Sequence, residues 1–157
     1  ATWWIWLMLG LIAFAAQLAA GARWSLLMTG AQVLAVGLIA FLSVKFGYGK
    51  FLKRHLVSLI IAILGVILWA FTRQPLLALL IVISIDIMGY WLTIVKTWKA
   101  PQTETLITWE LVSVSGCLGF LAVGELNFTK LVYPIYIALG NSLMMVVILY
   151  RRSLKAN

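Results

Sequence analysis

Charge is the scarcest property of this chain: 10% of its 157 residues are charged, against roughly 25% in an average soluble domain. Apolar residues take the place of charge, at 64% of the chain with a mean hydropathy of +1.09. A water-soluble globule of this size cannot hide so much apolar surface. A soluble enzyme and a nucleic-acid-binding domain are therefore excluded. Cys117 is the lone cysteine, so neither a disulfide framework nor a thiolate metal site is available. His55 is the lone histidine, beside Lys53 and Arg54, and reads as structural or interfacial rather than as a metal ligand. No Ser-His-Asp set, His-rich cluster or phosphate-binding glycine loop is present. Neither catalysis nor a cofactor is expected. The chain opens at Ala1 and runs at once into Trp3, Trp4 and Trp6, without the charged n-region and cleavage site of a signal peptide.

The apolar residues are arranged in runs. A membrane-crossing helix needs roughly 17–25 of them. Six stretches qualify: 3–19, 25–44, 56–72, 76–96, 105–124 and 130–150. None alternates with the two-residue period of a membrane barrel. The expectation is an all-α integral membrane protein with six transmembrane helices. Its net charge of +8 is a topology signal. Lys45, Lys50, Lys53, Arg54, Lys96, Lys99, Arg151, Arg152 and Lys155 fall on one side, and Arg23, Arg73 and Lys130 on the other. Nine against three in short loops places the first group, and both ends of the chain as given, in the cytoplasm. The basic loops then set orientation and touch anionic lipid. A bacterial inner membrane is the expected location.

The fifth and sixth runs resemble the first and second. Thr2-Trp3 matches Thr108-Trp109, Gly10 matches Gly116 and Phe14 matches Phe120 at one offset. Gln32 and Asn141 take comparable places in the following helices. Both pairs run in the same direction, which makes the repeat parallel, about an axis along the membrane normal. The run 76–96 completes a second triple over 76–152. Residues 1–45 form a first triple that lacks its opening helix. Residues 46–75 form a linker carrying one helix, and 153–157 form a tail. The pattern predicts an incomplete three-plus-one-plus-three protein: a fragment of one, or a variant that has lost one helix.

That layout resembles the SWEET and PQ-loop transporter superfamily, and its second half looks like a branch of uncharacterised bacterial membrane proteins of this type. Asp86, Thr93, Lys96, Trp98, Pro101, Glu104 and Thr105 carry the resemblance, followed by Trp109, Pro134 and Asn141. The likeness covers 76–150 well and 1–45 weakly. It implies two triple-helix bundles that rock to alternate access, with an Asn at the place of Asn141 lining the central site. One departure stands out. The family-like proline, thought to bend the first helix of each triple, is replaced by Leu92. That helix keeps its hydrogen bond and loses the obvious hinge.

The four acids are the useful rarity. Asp86 sits at mid-span, where an acid costs roughly 2.5–3.5 kcal/mol by insertion scales. Helical spacing places Asp86, Tyr90, Thr93 and Thr97 on one stripe. Such an acid either binds a solute or proton, or locks two helices together. Glu110 shares a face with Ser113 and Cys117 and has Lys96 or a helix N-terminus as candidate partners. Glu104 is placed to cap the fifth helix. Most tryptophans lie at span ends, as an aromatic belt does. Trp91, beside Asp86, is the exception to watch. Ala31/Ala35 and Ser115/Gly119 are expected to permit close helix packing.

The reading is a carrier of a small polar solute (sugar, vitamin or amino acid) working by alternating access. Asp86, Tyr90, Trp91, Asn141, Gln32 and Glu110 are its candidate binding residues. Lys96, Trp98, Pro101, Glu104, Trp109 and Pro134 are its motif positions. Expected partners are the lipid bilayer, the solute, and a second copy or a larger membrane complex. The rival reading is a non-transporting scaffold or accessory subunit. A hydrated cavity touching Asp86 favours the carrier, and a packed Asp86 bonded to a neighbouring helix favours the subunit.

Overall fold

A computed structural model describes residues 2–46 and 71–156, together with positions 60, 63 and 67. The third expected span, 56–72, falls almost entirely outside them, as do Lys50, Lys53, Arg54 and His55. The described chain is all-helical, with five α-helices. They are α1 (Thr2–Ala19), α2 (Leu26–Phe46), α3 (Pro75–Lys99), α4 (Leu106–Leu121) and α5 (Phe128–Ala156). A short 3-10 turn at Pro101–Thr103 separates α3 from α4.

Two of these are long and apolar enough to cross a membrane: Pro75–Lys99 and Phe128–Leu154. Trp3–Ala19, Leu26–Leu42 and Leu106–Leu121 are shorter apolar stretches among the described residues, although α2 itself runs for 21 residues to Phe46. For α4 the difference from the expected span is local in origin. The run 105–124 loses its last three residues to a turn, with Gly124 at φ +71°. Sixteen helical residues rise about 24 Å at ~1.5 Å each, short of a hydrocarbon core of roughly 30 Å.

Helix ends follow the punctuation. Pro75 opens α3, where its missing N–H costs nothing. Lys96 and Lys99 lie in its last turn, where cations complement the helix dipole. Pro101 then prevents continuation. The turn after α1 uses Gly21 at φ +76°, a conformation that favours glycine.

α5 is the central element, packed on α4 along one side and on α3 along the other. α1 packs on α2 and α3, and α2 also touches α4. The core collects Ile5, Leu9, Leu79, Val82, Tyr133 and Ile137. The α4–α5 seam is tight down to the backbone. A Cβ at Gly116 would lie 2.5 Å from the Ala138 nitrogen and 3.0 Å from the Pro134 oxygen. Ser113 donates to the Ala138 carbonyl at 3.2 Å and shares a hydrogen bond with Ser142 at 2.7 Å. Gly119 faces Met28 of α2. Close packing thus falls on Gly116 and Gly119 rather than on Ser115, and Ala31 and Ala35 are exposed. Between α1 and α2, the buried Gln17 amide donates to Thr29 Oγ1 at 2.8 Å.

The outer surface is apolar on every helix: Leu11, Leu34, Ile87, Leu111 and Leu139 are each half-exposed or more. Soluble monomers avoid contiguous surface of this kind.

Candidate functional site

The site is built around Asp86, half-buried in the middle of α3. The Tyr136 hydroxyl of α5 donates to Asp86 Oδ2 at 3.1 Å. The Trp6 indole of α1 stands beside the same carboxyl group. Gly89, one turn along α3, keeps that corner open: a Cβ there would sit 3.7 Å from Trp6 Nε1 and 3.8 Å from Asp86 Oδ1. No cation faces Asp86 among the described residues.

Aromatic rings continue the lining. Tyr90, one helical turn from Asp86, meets Tyr136 edge-on at 5.9 Å between centroids and Trp109 of α4 at 5.9 Å. Tyr133 lies 6.4 Å from Tyr136. Gly140 admits the Tyr90 ring, since a Cβ there would lie 3.1 Å from Tyr90 Cζ. The Tyr90 hydroxyl adjoins the Asn141 amide. Asn141 is only 2% exposed and donates from Nδ2 to the Ile137 carbonyl at 2.7 Å. Asp86, Tyr90 and Asn141 are therefore brought together. An anionic acceptor among aromatic faces suits a solute with a cationic group, because ring quadrupoles attract cations.

The other expected binding residues lie elsewhere. Trp91 is 65% exposed on the outer surface, because one residue along a helix turns the side chain by about 100°. Gln32 is half-buried on α2, which packs on α1 and α4 and not on α3 or α5. Glu110 is half-buried on α4 and has no polar partner among the described residues. Lys96 does not reach it and pairs instead with Glu104 at 2.6 Å. Four residues absent from the expected binding set join the site: Trp6, Trp109, Tyr133 and Tyr136. The spacing Tyr133, Tyr136, Gly140 was the available signal, since positions three and four apart share a helix face.

Four of the motif positions, Lys96, Trp98, Pro101 and Glu104, form a separate structure, a clasp at the opposite end of α3 from Pro75, whereas Trp109 lines the site through Tyr90. Arg151 of α5 donates from Nε to the Trp98 carbonyl at 2.9 Å, and its guanidinium lies 4.6 Å from the Trp98 ring centroid. Arg152 donates to the Pro101 carbonyl at 3.4 Å and to the Glu104 carbonyl at 2.7 Å. Thr105 precedes α4 without a side-chain cap bond. Glu104 therefore serves the clasp through Lys96 rather than capping α4. Pro134 is buried inside α5, with its carbonyl against Gly116. Arg152→Ala should speed amide hydrogen exchange across 100–105 more than Lys96→Ala does, because it removes two backbone contacts rather than one exposed ion pair. Equal exchange in the two variants would show that the clasp does not hold that loop.

Among the described residues no three His, Cys, Asp or Glu side chains gather as a metal site. No protein-family model, curated protein or solved structure matches the chain. The SWEET and PQ-loop resemblance therefore rests on the residues quoted for it.

Proposed function

We propose that the chain is an integral membrane protein that carries a small polar solute between two triple-helix units. The single observation behind this is the cluster of Asp86, Tyr90, Tyr136, Trp6 and Asn141, drawn from three helices and holding an acid with no cationic partner among the described residues. An ionisable group inside a span is by default a functional-site hypothesis. The apolar outer surface and the two spanning-length helices support the membrane placement. Six spans, an incomplete three-plus-one-plus-three plan over 1–45, 46–75 and 76–152, and a bacterial inner-membrane location complete the proposal. The turns at Gly21 and Gly124, both at positive φ after the first helix of each pair, fit the parallel repeat. The bound solute carries a cationic or strongly hydrogen-bonding group that replaces Tyr136 at Asp86.

Purified protein in liposomes is expected to take up one class of amine-bearing or otherwise polar solute, and Asp86→Asn is expected to abolish that uptake. A screen in which nothing depends on Asp86 sinks the carrier.

One observation favours the rival. Asp86 is bonded to a neighbouring helix through Tyr136, as a helix lock in a scaffold or accessory subunit would be. A stable partner co-purifying at fixed stoichiometry, with no uptake, is the outcome that reading requires.

A further inference from the structure

At the end of the bundle away from the clasp, the α1–α2 and α4–α5 turns enclose a cavity of ≈ 330 Å³. That is within the range of ligand-sized cavities, roughly 300–1,000 Å³. Arg23, Trp24, Ser25, Glu125 and Lys130 are among its lining residues. Two cations and one carboxylate leave the cavity positive. Lys130 pairs with Glu125, whereas Arg23 forms no ion pair among the described residues.

Ser25 is the decisive residue. It immediately precedes α2, a helix of 21 residues, at the position where a serine hydroxyl usually accepts a bond from the first turn. Here its hydroxyl does not: Ser25 is 1% exposed and its Oγ has no hydrogen-bond partner among the described residues. The Leu26 and Leu27 amides are instead held by the Arg23 and Trp24 carbonyls. A buried hydroxyl left unpaired is costly, and Ser25 lines a positive cavity at the start of a helix, where the dipole favours anions. Among the described residues Arg23 and Lys130 are two of three basic residues at this end of the bundle, with Arg73, and both line the same cavity.

We infer that this cavity is an oxyanion site for a phosphate group, held by the Arg23 guanidinium and the Ser25 hydroxyl in the positive field at the start of α2. A tetrahedral phosphate offers oxygens to a planar guanidinium fork and to a hydroxyl approaching from another direction. The phosphate belongs either to a lipid headgroup or to a soluble ion or ester. The inference is independent of the Asp86 site.

The test is the thermal stability of the detergent-purified chain, titrated separately with inorganic phosphate and with dihexanoyl phosphatidylglycerol, against chloride at matched ionic strength. At least one probe is expected to raise the melting temperature saturably. Stabilisation by phosphate identifies a soluble source, and by phosphatidylglycerol alone a lipid source. Arg23→Ala should weaken the apparent affinity at least tenfold and Ser25→Ala several-fold. Arg73→Ala, at the same end but outside the cavity, should leave it unchanged. Ser25→Ala should also melt no lower than the parent in chloride, because its hydroxyl has no partner to lose. The proposal fails if neither probe exceeds chloride, or if Arg73→Ala weakens binding as much as Arg23→Ala.

Discussion

Gly116→Leu is expected to abolish the folded, monodisperse protein, and Gly116→Ala to lower its unfolding free energy by about 1–3 kcal/mol, the usual cost of overpacking. A Cβ at this position meets the Ala138 nitrogen at 2.5 Å, the Ala138 Cα at 2.9 Å and the Pro134 oxygen at 3.0 Å. All three are backbone atoms, so no rotamer change can relieve the clash. The helices must separate, and separation also breaks the hydrogen bonds that Ser113 makes to Ala138 and Ser142. Because α5 joins α4 to α3, the loss propagates through the bundle. The control is Gly37→Ala, where the nearest atom is the Leu7 Cδ1 methyl at an ordinary 3.5 Å. Replacing a mid-helix glycine by alanine there should be neutral or stabilising by roughly 0.5–1 kcal/mol. Thermal unfolding in detergent reads both. If Gly116→Ala melts with the parent, the α4–α5 seam is looser than described.

Helices were legible in the sequence because apolar runs, prolines and glycines are local signals. Their pairing was not. Asp86 and Tyr90 could be selected because an acid in an apolar run is rare and a tyrosine one turn away shares its face. Trp91 was drawn in by proximity in sequence, yet a single helical step carries it to the outer surface. Trp6, Tyr133 and Tyr136 escaped selection for a different reason. An aromatic residue near a span end satisfies the interfacial belt equally well, and only the packing of α1 and α5 against α3 shows which rings face the acid. Gln32 was chosen by analogy with Asn141 through the repeat, but α2 contacts α4 rather than α3 or α5. The residues quoted for the PQ-loop resemblance were visible as a set. Their role in the clasp depends on Arg151 and Arg152, about fifty residues downstream, and no local spacing carries that information.

The double variant Asp86→Leu/Tyr136→Phe is expected to be more stable than the parent by about 1–2 kcal/mol while losing uptake entirely. An acid at the centre of a span costs roughly 2.5–3.5 kcal/mol to insert. The hydrogen bond returned by Tyr136 to Asp86 at 3.1 Å, with the Trp6 indole of α1 as a second donor beside the same carboxyl group, is the kind that averages about 0.6 kcal/mol and rarely exceeds roughly 1.7 kcal/mol in a bilayer. The acid is therefore a net cost to the fold, and replacing both members of the pair by apolar groups removes that cost while leaving only the Trp6 indole N–H without its acceptor. Tyr136→Phe alone should destabilise slightly, by about 0.5–1.5 kcal/mol, because the carboxyl group then loses a donor. Completing the cycle with Asp86→Leu isolates the coupling between the two side chains. A helix lock requires the opposite sign: the double variant would melt below the parent, with coupling large enough to exceed the insertion cost. The sign of that one measurement separates an acid kept for its chemistry from an acid kept for the fold.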